Sequence, residues 1–174
     1  TTVDPIALRM SVRLEEQFEH TDLLNRLGYS ATVEGLSSET IPIPGHIAAL
    51  MELPDSTLIA SMRKRWRADG KVAMIADNSM PLPDGGDVDP EESVFDAIAR
   101  LHGEAVVWEV TTPGLATLEG ELAEQFEREP GTPVMTFEFI GIGASGTRLL
   151  HSMEYHDPSL VSYSMVRTAR PPWA

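Results

Sequence analysis

"MRKRWRADGKVAMIADNSMPLP" (62–83) decides how this chain folds. Two strand-like runs, 56–66 and 71–80, flank Ala68-Asp69-Gly70. Asp-Gly between alternating runs predicts a β-hairpin. Arg63, Arg65 and Arg67 are spaced by two, so they leave one face of the first strand together. With Lys64 and Lys71 the segment holds five of the 13 basic residues of a chain whose net charge is −14. The hairpin makes the sheet antiparallel, and the concentration of positive charge marks it as a candidate for function.

Working outward, Thr21 before "DLLNRLG" reads as an N-cap, with Asp22 in the first turn and Gly28 after the last. Residues 29–43 read as extended. A short helix follows over 44–54, with Ile47, Leu50 and Met51 on one face. Residues 81–92 form an acidic loop rich in turn formers. The segment 92–103 is an amphipathic helix with Val94, Ile98 and Leu101 inward, closed by His102 and Gly103. A strand covers 104–112. Leu115, Leu118, Leu122 and Phe126 fit helical spacing over 115–129, which Pro130-Gly131 stops. Three strands close the chain at 132–143, 147–156 and 161–169. The first two are joined by Ala144-Ser145-Gly146, the last by Asp157-Pro158. There is no internal repeat. Hairpins with helices between them predict an α+β fold around an antiparallel sheet.

A chain of 174 residues with 42% hydrophobic and 23% charged content is ordinary for one globular domain. It has no cysteine, which excludes disulfides and thiolate chemistry and suits the cytoplasm. No apolar run approaches the ~20 residues of a membrane span. The opening "TTVDPIALRM" lacks an initiator Met, and residues 1–10 are expected to be a lead-in from a longer protein. Two Lys and 11 Arg against 27 acids make a poor binder of nucleic acid and of anionic membranes. The basic cluster suits a small anion or an internal acid better.

The order of parts resembles a known family. A helix ending in Gly leads to an extended segment, then to a short helix ending "LP". An Arg-bearing strand then runs into "ADG". "ESVFDAIARLHG", a helix ending before "PGTPVM" and "LLHSMEYHDPSLVSYSMVR" complete the series. This is similar to the UTRA domain, the effector-sensing half of HutC-type GntR transcription regulators, from about residue 11 to 170. The resemblance implies a chorismate lyase-like fold, a small-molecule effector and a homodimer. It also implies a winged helix DNA-binding domain N-terminal to this part and absent from this chain. No cofactor and no catalytic residue are implied.

The resemblance also suggests a site. Two Arg of the hairpin strand commonly face the effector, which points to Arg65 and Arg67. The usual pattern sets the second Arg three residues before the turn Asp, whereas Arg67 lies two before Asp69. A slip of one residue swaps faces, so Arg63 stays a candidate. Asp77, ten positions after Arg67, matches a common acid. It shares the Arg face if the hairpin loop has an odd count and points away if the loop has two residues. Its alternative role is an ion pair with an Arg. Ser93 matches a helix-start Ser that can hold an anion, and is otherwise a plain N-cap. Thr21 matches a phosphate-contacting Thr, but Glu19 nearby argues against a phosphorylated sugar. Glu154 and Tyr155 lie on a pocket-closing strand with opposite faces, so one of them is expected to reach the ligand. His151 and His156 also point to opposite faces, so no metal site is expected. The leading expectation is a sensor for a small, polar, anionic metabolite. The alternative is a chorismate lyase-like enzyme acting on an aromatic carboxylate, against which stands the low aromatic content of 6%.

Overall fold

A computed structural model describes residues 12–14, 19–83 and 86–165. Helix α1 (His20–Arg26) precedes strand β1 (Ala31–Pro42), helix α2 (Gly45–Met51) and the hairpin of β2 (Leu58–Ala68) and β3 (Lys71–Pro81). Helix α3 (Val94–His102), strand β4 (Val106–Thr117), helix α4 (Gly120–Phe126) and the hairpin of β5 (Pro133–Gly143) and β6 (Arg148–His156) follow. The six strands form one sheet in the order β1-β2-β3-β6-β5-β4, with antiparallel neighbours throughout. The α+β expectation holds.

The central hairpin closes on two residues. Asp69 and Gly70 take the positive φ angles of 49° and 81° that a tight hairpin turn needs. A β-bulge then shifts the pairing: Trp66 opposes Met74 while Arg67 opposes Val72, which leaves Ala73 as the extra residue. The shift brings Asp77 opposite Arg63. The two-residue loop alone would have turned Asp77 away, so the bulge supplies the odd residue.

Both faces of the sheet are covered. Leu23 and Leu24 of α1 pack on Trp66, Ala68 and Met74, and Ala97 and Ile98 of α3 pack on Met62, Met80 and Phe139. On the opposite face α4 places Phe126 against Val72 and Ile75, and α2 places Ile47 and Met51 against Ile59. Strand β3 lies in the middle under both layers and is buried almost end to end, as an apolar run without alternation requires.

Four expectations change. Residues 115–117 continue β4, whose ladder with β5 runs to Thr117 opposite Pro133, so α4 starts only at Gly120 and Leu115 is exposed. Helix α1 is capped by Glu19, whose carboxylate accepts from the Thr21 and Asp22 amides, and Thr21 sits inside the first turn. Of the proposed strand 161–169, residues up to 165 are described. They make one bridge, Arg13 to Ser164, in place of a ladder. The rest of that strand and the lead-in 1–10 lie outside the described residues. Leu50 is exposed, and Ala48 takes its inward place on α2.

Candidate functional site

Strand parity builds the site. From β2, Lys64 and Trp66 leave the α1/α3 face, and the bulged register sets Ala76 opposite Lys64 and Asn78 opposite Met62. On β6, Glu154 opposes Ala76 and His156 opposes Met74, so both share that face. Beyond them β5 contributes Phe137 and Phe139, while β4 contributes Glu109 and Thr111. Helix α1 lowers His20 onto this surface, and Ser93 and Phe95 enter from α3. The helices do not close over the sheet completely. They leave a cavity of about 760 Å³ and a neighbouring one of about 150 Å³, which share a wall of Glu19, His20, Phe95, Phe139 and Glu154.

The polar centre of the larger cavity is a chain of four side chains. His20 Nε2 lies 2.8 Å from Glu154 Oε1, His156 Nε2 lies 3.0 Å from Glu154 Oε2, and His156 Nδ1 lies 2.6 Å from the Tyr163 hydroxyl. Geometry assigns the protons: Tyr163 donates to Nδ1, and Nε2–H of His156 donates to the carboxylate. Burial alone would raise the Glu154 carboxyl, but His20 and His156 outweigh it and hold the group below the usual carboxylate range. Burial opposes charge on His20 too, yet Glu154 wins and raises it. His156 is lowered by its own burial and stays neutral. Burial pushes Glu109 up to about 8, with Glu154 adding to the shift and His20 opposing it. His20 Nδ1, Trp66 Nε1 and Glu109 Oε1 are buried with no hydrogen-bond partner. Lys64 donates to the Glu92 carbonyl at 2.6 Å, and burial lowers its pKa.

The arginines lie elsewhere. Arg63, Arg65 and Arg67 leave the opposite face, toward α4. Arg63 grips Asp77 in a two-pronged pair at 2.5 and 2.7 Å and also donates to Gln125 at 3.0 Å. Arg65 and Arg67 share Glu34 at 2.7 and 3.0 Å, and Arg67 adds Glu127 at 2.5 Å. The arginines therefore hold internal acids and line neither cavity, which is the bland alternative for the basic cluster. Asp77 takes its ion-pair role, and Tyr155 packs with the α4 cluster. Only Glu154 and Ser93 of the candidates line a cavity. Ser93 stands at the N-cap position of α3 without a capping bond. Thr21 is hydrogen-bonded to Glu19 rather than lining either cavity.

One residue of register separates the arginines from the cavity face. Counted three back from Asp69, the position that carries an Arg in the resembled pattern holds Trp66, and two before it stands Lys64. Ten after Trp66 is Ala76. The cavity face of the hairpin thus carries Lys64, Trp66 and Ala76. Parity could have located Lys64. No local signal pointed to His20, which lies 134 residues from its partner Glu154.

The UTRA domain model matches residues 26–161. No curated protein matches the sequence. Among solved structures the chain is similar to PhnF from Mycobacterium smegmatis, with TM-score 0.78 and 15% identity over 91% of this chain and 72% of that one. It is also similar to the possible transcriptional regulator YydK from Bacillus subtilis, with TM-score 0.76 and 14% identity over 90% and 68%. The ligand-binding domain of a GntR-family regulator from Bordetella bronchiseptica gives TM-score 0.66 and 16% identity over 73% and 82%. At these identities the likeness shows a shared fold, and it is the UTRA match that stands against the enzyme alternative. With the family model spanning most of the residues and the sheet order, helices and cavity as described, the chain belongs to the UTRA domain family.

Proposed function

We propose that the chain senses a small polar molecule in the paired cavities and transmits that event to an attached winged helix DNA-binding domain of a HutC-type regulator, acting as a homodimer in the cytoplasm. The observation that carries this reading is the cavity itself. It is concave, walled by Phe95, Phe137, Phe139 and Trp66, and has a few convergent polar groups. The effector must bind one arrangement of the attached domains better than another for the signal to pass.

The anionic ligand expected from the arginines has lost its support, because those side chains are spent on Glu34, Asp77 and Glu127. Glu19, Glu91, Glu109 and Glu154 face Lys64 and His20 across the two cavities. Acids outnumber bases there, which favours a ligand with N–H donors or a nitrogen cation on a flat or apolar body. The test uses neighbouring residues on opposite faces. Thermal-shift screening of small amines, amino acids and sugars in chelator-treated buffer selects a stabilising compound. Calorimetric titration then compares variants. Lys64→Met and Ser93→Ala are expected to change its affinity by about 10-fold or more, and Arg65→Gln by less than about 2-fold. An effect of Arg65→Gln as large as that of Lys64→Met would return the site to the α4 face.

A further inference from the structure

The geometry points to a transition-metal site in the larger cavity, formed by His20 of α1 with Glu154 and His156 of β6, and taking a divalent ion such as zinc. The two imidazoles present Nε2 to opposite oxygens of one carboxylate, at 2.8 and 3.0 Å, and the donor atoms all lie within 4.8 Å of one another. A tetrahedral zinc with ligands at roughly 2.0–2.1 Å holds neighbouring donor atoms about 3.3 Å apart. The two His–carboxylate separations differ from that by a few tenths of an ångström, and a donor pair as wide as 4.8 Å would close by about 1.5 Å as the ion replaces the two hydrogen bonds.

The surroundings are those of a built site. Two His and one carboxylate are the donor set of zinc centres that keep an open position, and the open side here is the cavity. Tyr163 holds His156 from behind, its hydroxyl 2.6 Å from Nδ1; with the ion on Nε2 the ring proton sits on Nδ1 and donates to the Tyr163 oxygen, an outer partner that fixes the nitrogen turned toward the ion. His20 is steadied edge-on by Trp66, ring to ring at 4.7 Å. Glu109 lines the same cavity, and its Oε1 is buried without a partner. A divalent ion would balance the buried Glu154 carboxylate, and the cavity leaves room for water or a small ligand to complete its coordination. The other described histidines lack this arrangement: His151 faces the opposite side of β6 with Glu138, and His102 bonds a backbone carbonyl.

The inference goes beyond the effector reading and stands without it, since the ion is assayed with no organic ligand. Chelator-stripped protein is titrated with cobalt(II), and then with zinc(II) in competition with a chromophoric chelator. Wild type is expected to develop the intense visible bands of low-coordinate cobalt at one equivalent, and to bind zinc one to one. His20→Ala and Glu154→Gln should lower zinc affinity by about 100-fold or more, and Tyr163→Phe by about 10-fold, as expected for a ligand and for an outer partner. His46→Ala, at an exposed histidine on α2, should change nothing. Circular dichroism establishes that each variant is folded. Absence of cobalt bands in wild type overturns the site whatever the variants do. So does zinc binding that survives His20→Ala but falls in His46→Ala.

Discussion

Glu109 stands on edge strand β4 with one carboxylate oxygen buried and unpartnered. Burial, reinforced by Glu154, pushes its pKa up to about 8 from an ordinary 4.5. The sign follows from linkage: an acid raised in the fold contributes nothing adverse below about 4.5, where both states hold the proton. Between about 4.5 and about 8 the unfolded chain releases that proton and the fold does not, so stability falls with rising pH. Glu109→Gln keeps the shape and removes the titration. In metal-free buffer its melting temperature should match wild type near pH 4.5 and pull ahead toward pH 8. The gain should reach about 2–3 kcal/mol, the full shift being reduced by the part of the carboxyl that water reaches. An equal gain at pH 5 and pH 8 would show that Glu109 is already ionised in the fold. Little of this was legible in the sequence. Arg63, Arg65 and Arg67 could be assigned to a common face, but which face carries the cavity depends on where α1 and α3 dock. Glu34, which neutralises two of them, sits about 30 positions away on β1, and its pKa is lowered by the bonds from Arg65 and Arg67.

Helix α4 shows how an element of seven residues is held. Alone it would be too short to form in water. Phe126 anchors it in a cluster with Val72, Ile75, Leu118 and Val134, and the arginines of β2 tether its far side through Gln125 and Glu127. The apolar anchor should dominate, because it is fully buried while Glu127 is half exposed. Phe126→Ala is expected to cost about 3–5 kcal/mol and Arg67→Ala under about 1 kcal/mol, read from urea unfolding. The reverse order would mean that the charged tether holds the element. The same region shows where a sequence misleads. Leu115, Leu118, Leu122 and Phe126 keep helical spacing, yet β5 captures the chain as far as Thr117, and long-range pairing overrides the local period. The β2–β3 hairpin was legible because Asp-Gly and alternation agree. Its bulge at Ala73 was not, since nothing in "KVAMIADNSM" marks an extra residue.

At the scale of the whole molecule the sheet has two edges, β1 and β4, and they differ. Strand β1 is broken by a bulge between Gly35 and Ser37 and carries Glu34 and Glu39, features that discourage edge pairing. Strand β4 is 12 residues long, has its register shift at its start between Val106 and Trp108, and leaves Val107, Trp108, Val110 and Leu115 exposed, Trp108 by 70%. An apolar strand edge of this length invites a partner, and a second copy of the same chain can pair with it about a twofold axis. The segment 161–165 makes only the bridge at Ser164, and β4 is the edge that suits the homodimer the resemblance implies. Wild type should be a homodimer at micromolar concentration by light scattering. Trp108→Glu with Val110→Asp should give a monomer with an unchanged circular dichroism spectrum. A monomeric wild type at about 50 µM would remove the dimer from the proposal. Because Val107 and Trp108 also line the larger cavity, pairing there would alter the cavity wall. By reciprocity, whatever binds inside must then shift the dimer equilibrium by the same factor that dimerisation shifts its affinity. Sedimentation of wild type with and without the stabilising compound reads that factor directly, and an unchanged dimer constant would uncouple the cavity from β4.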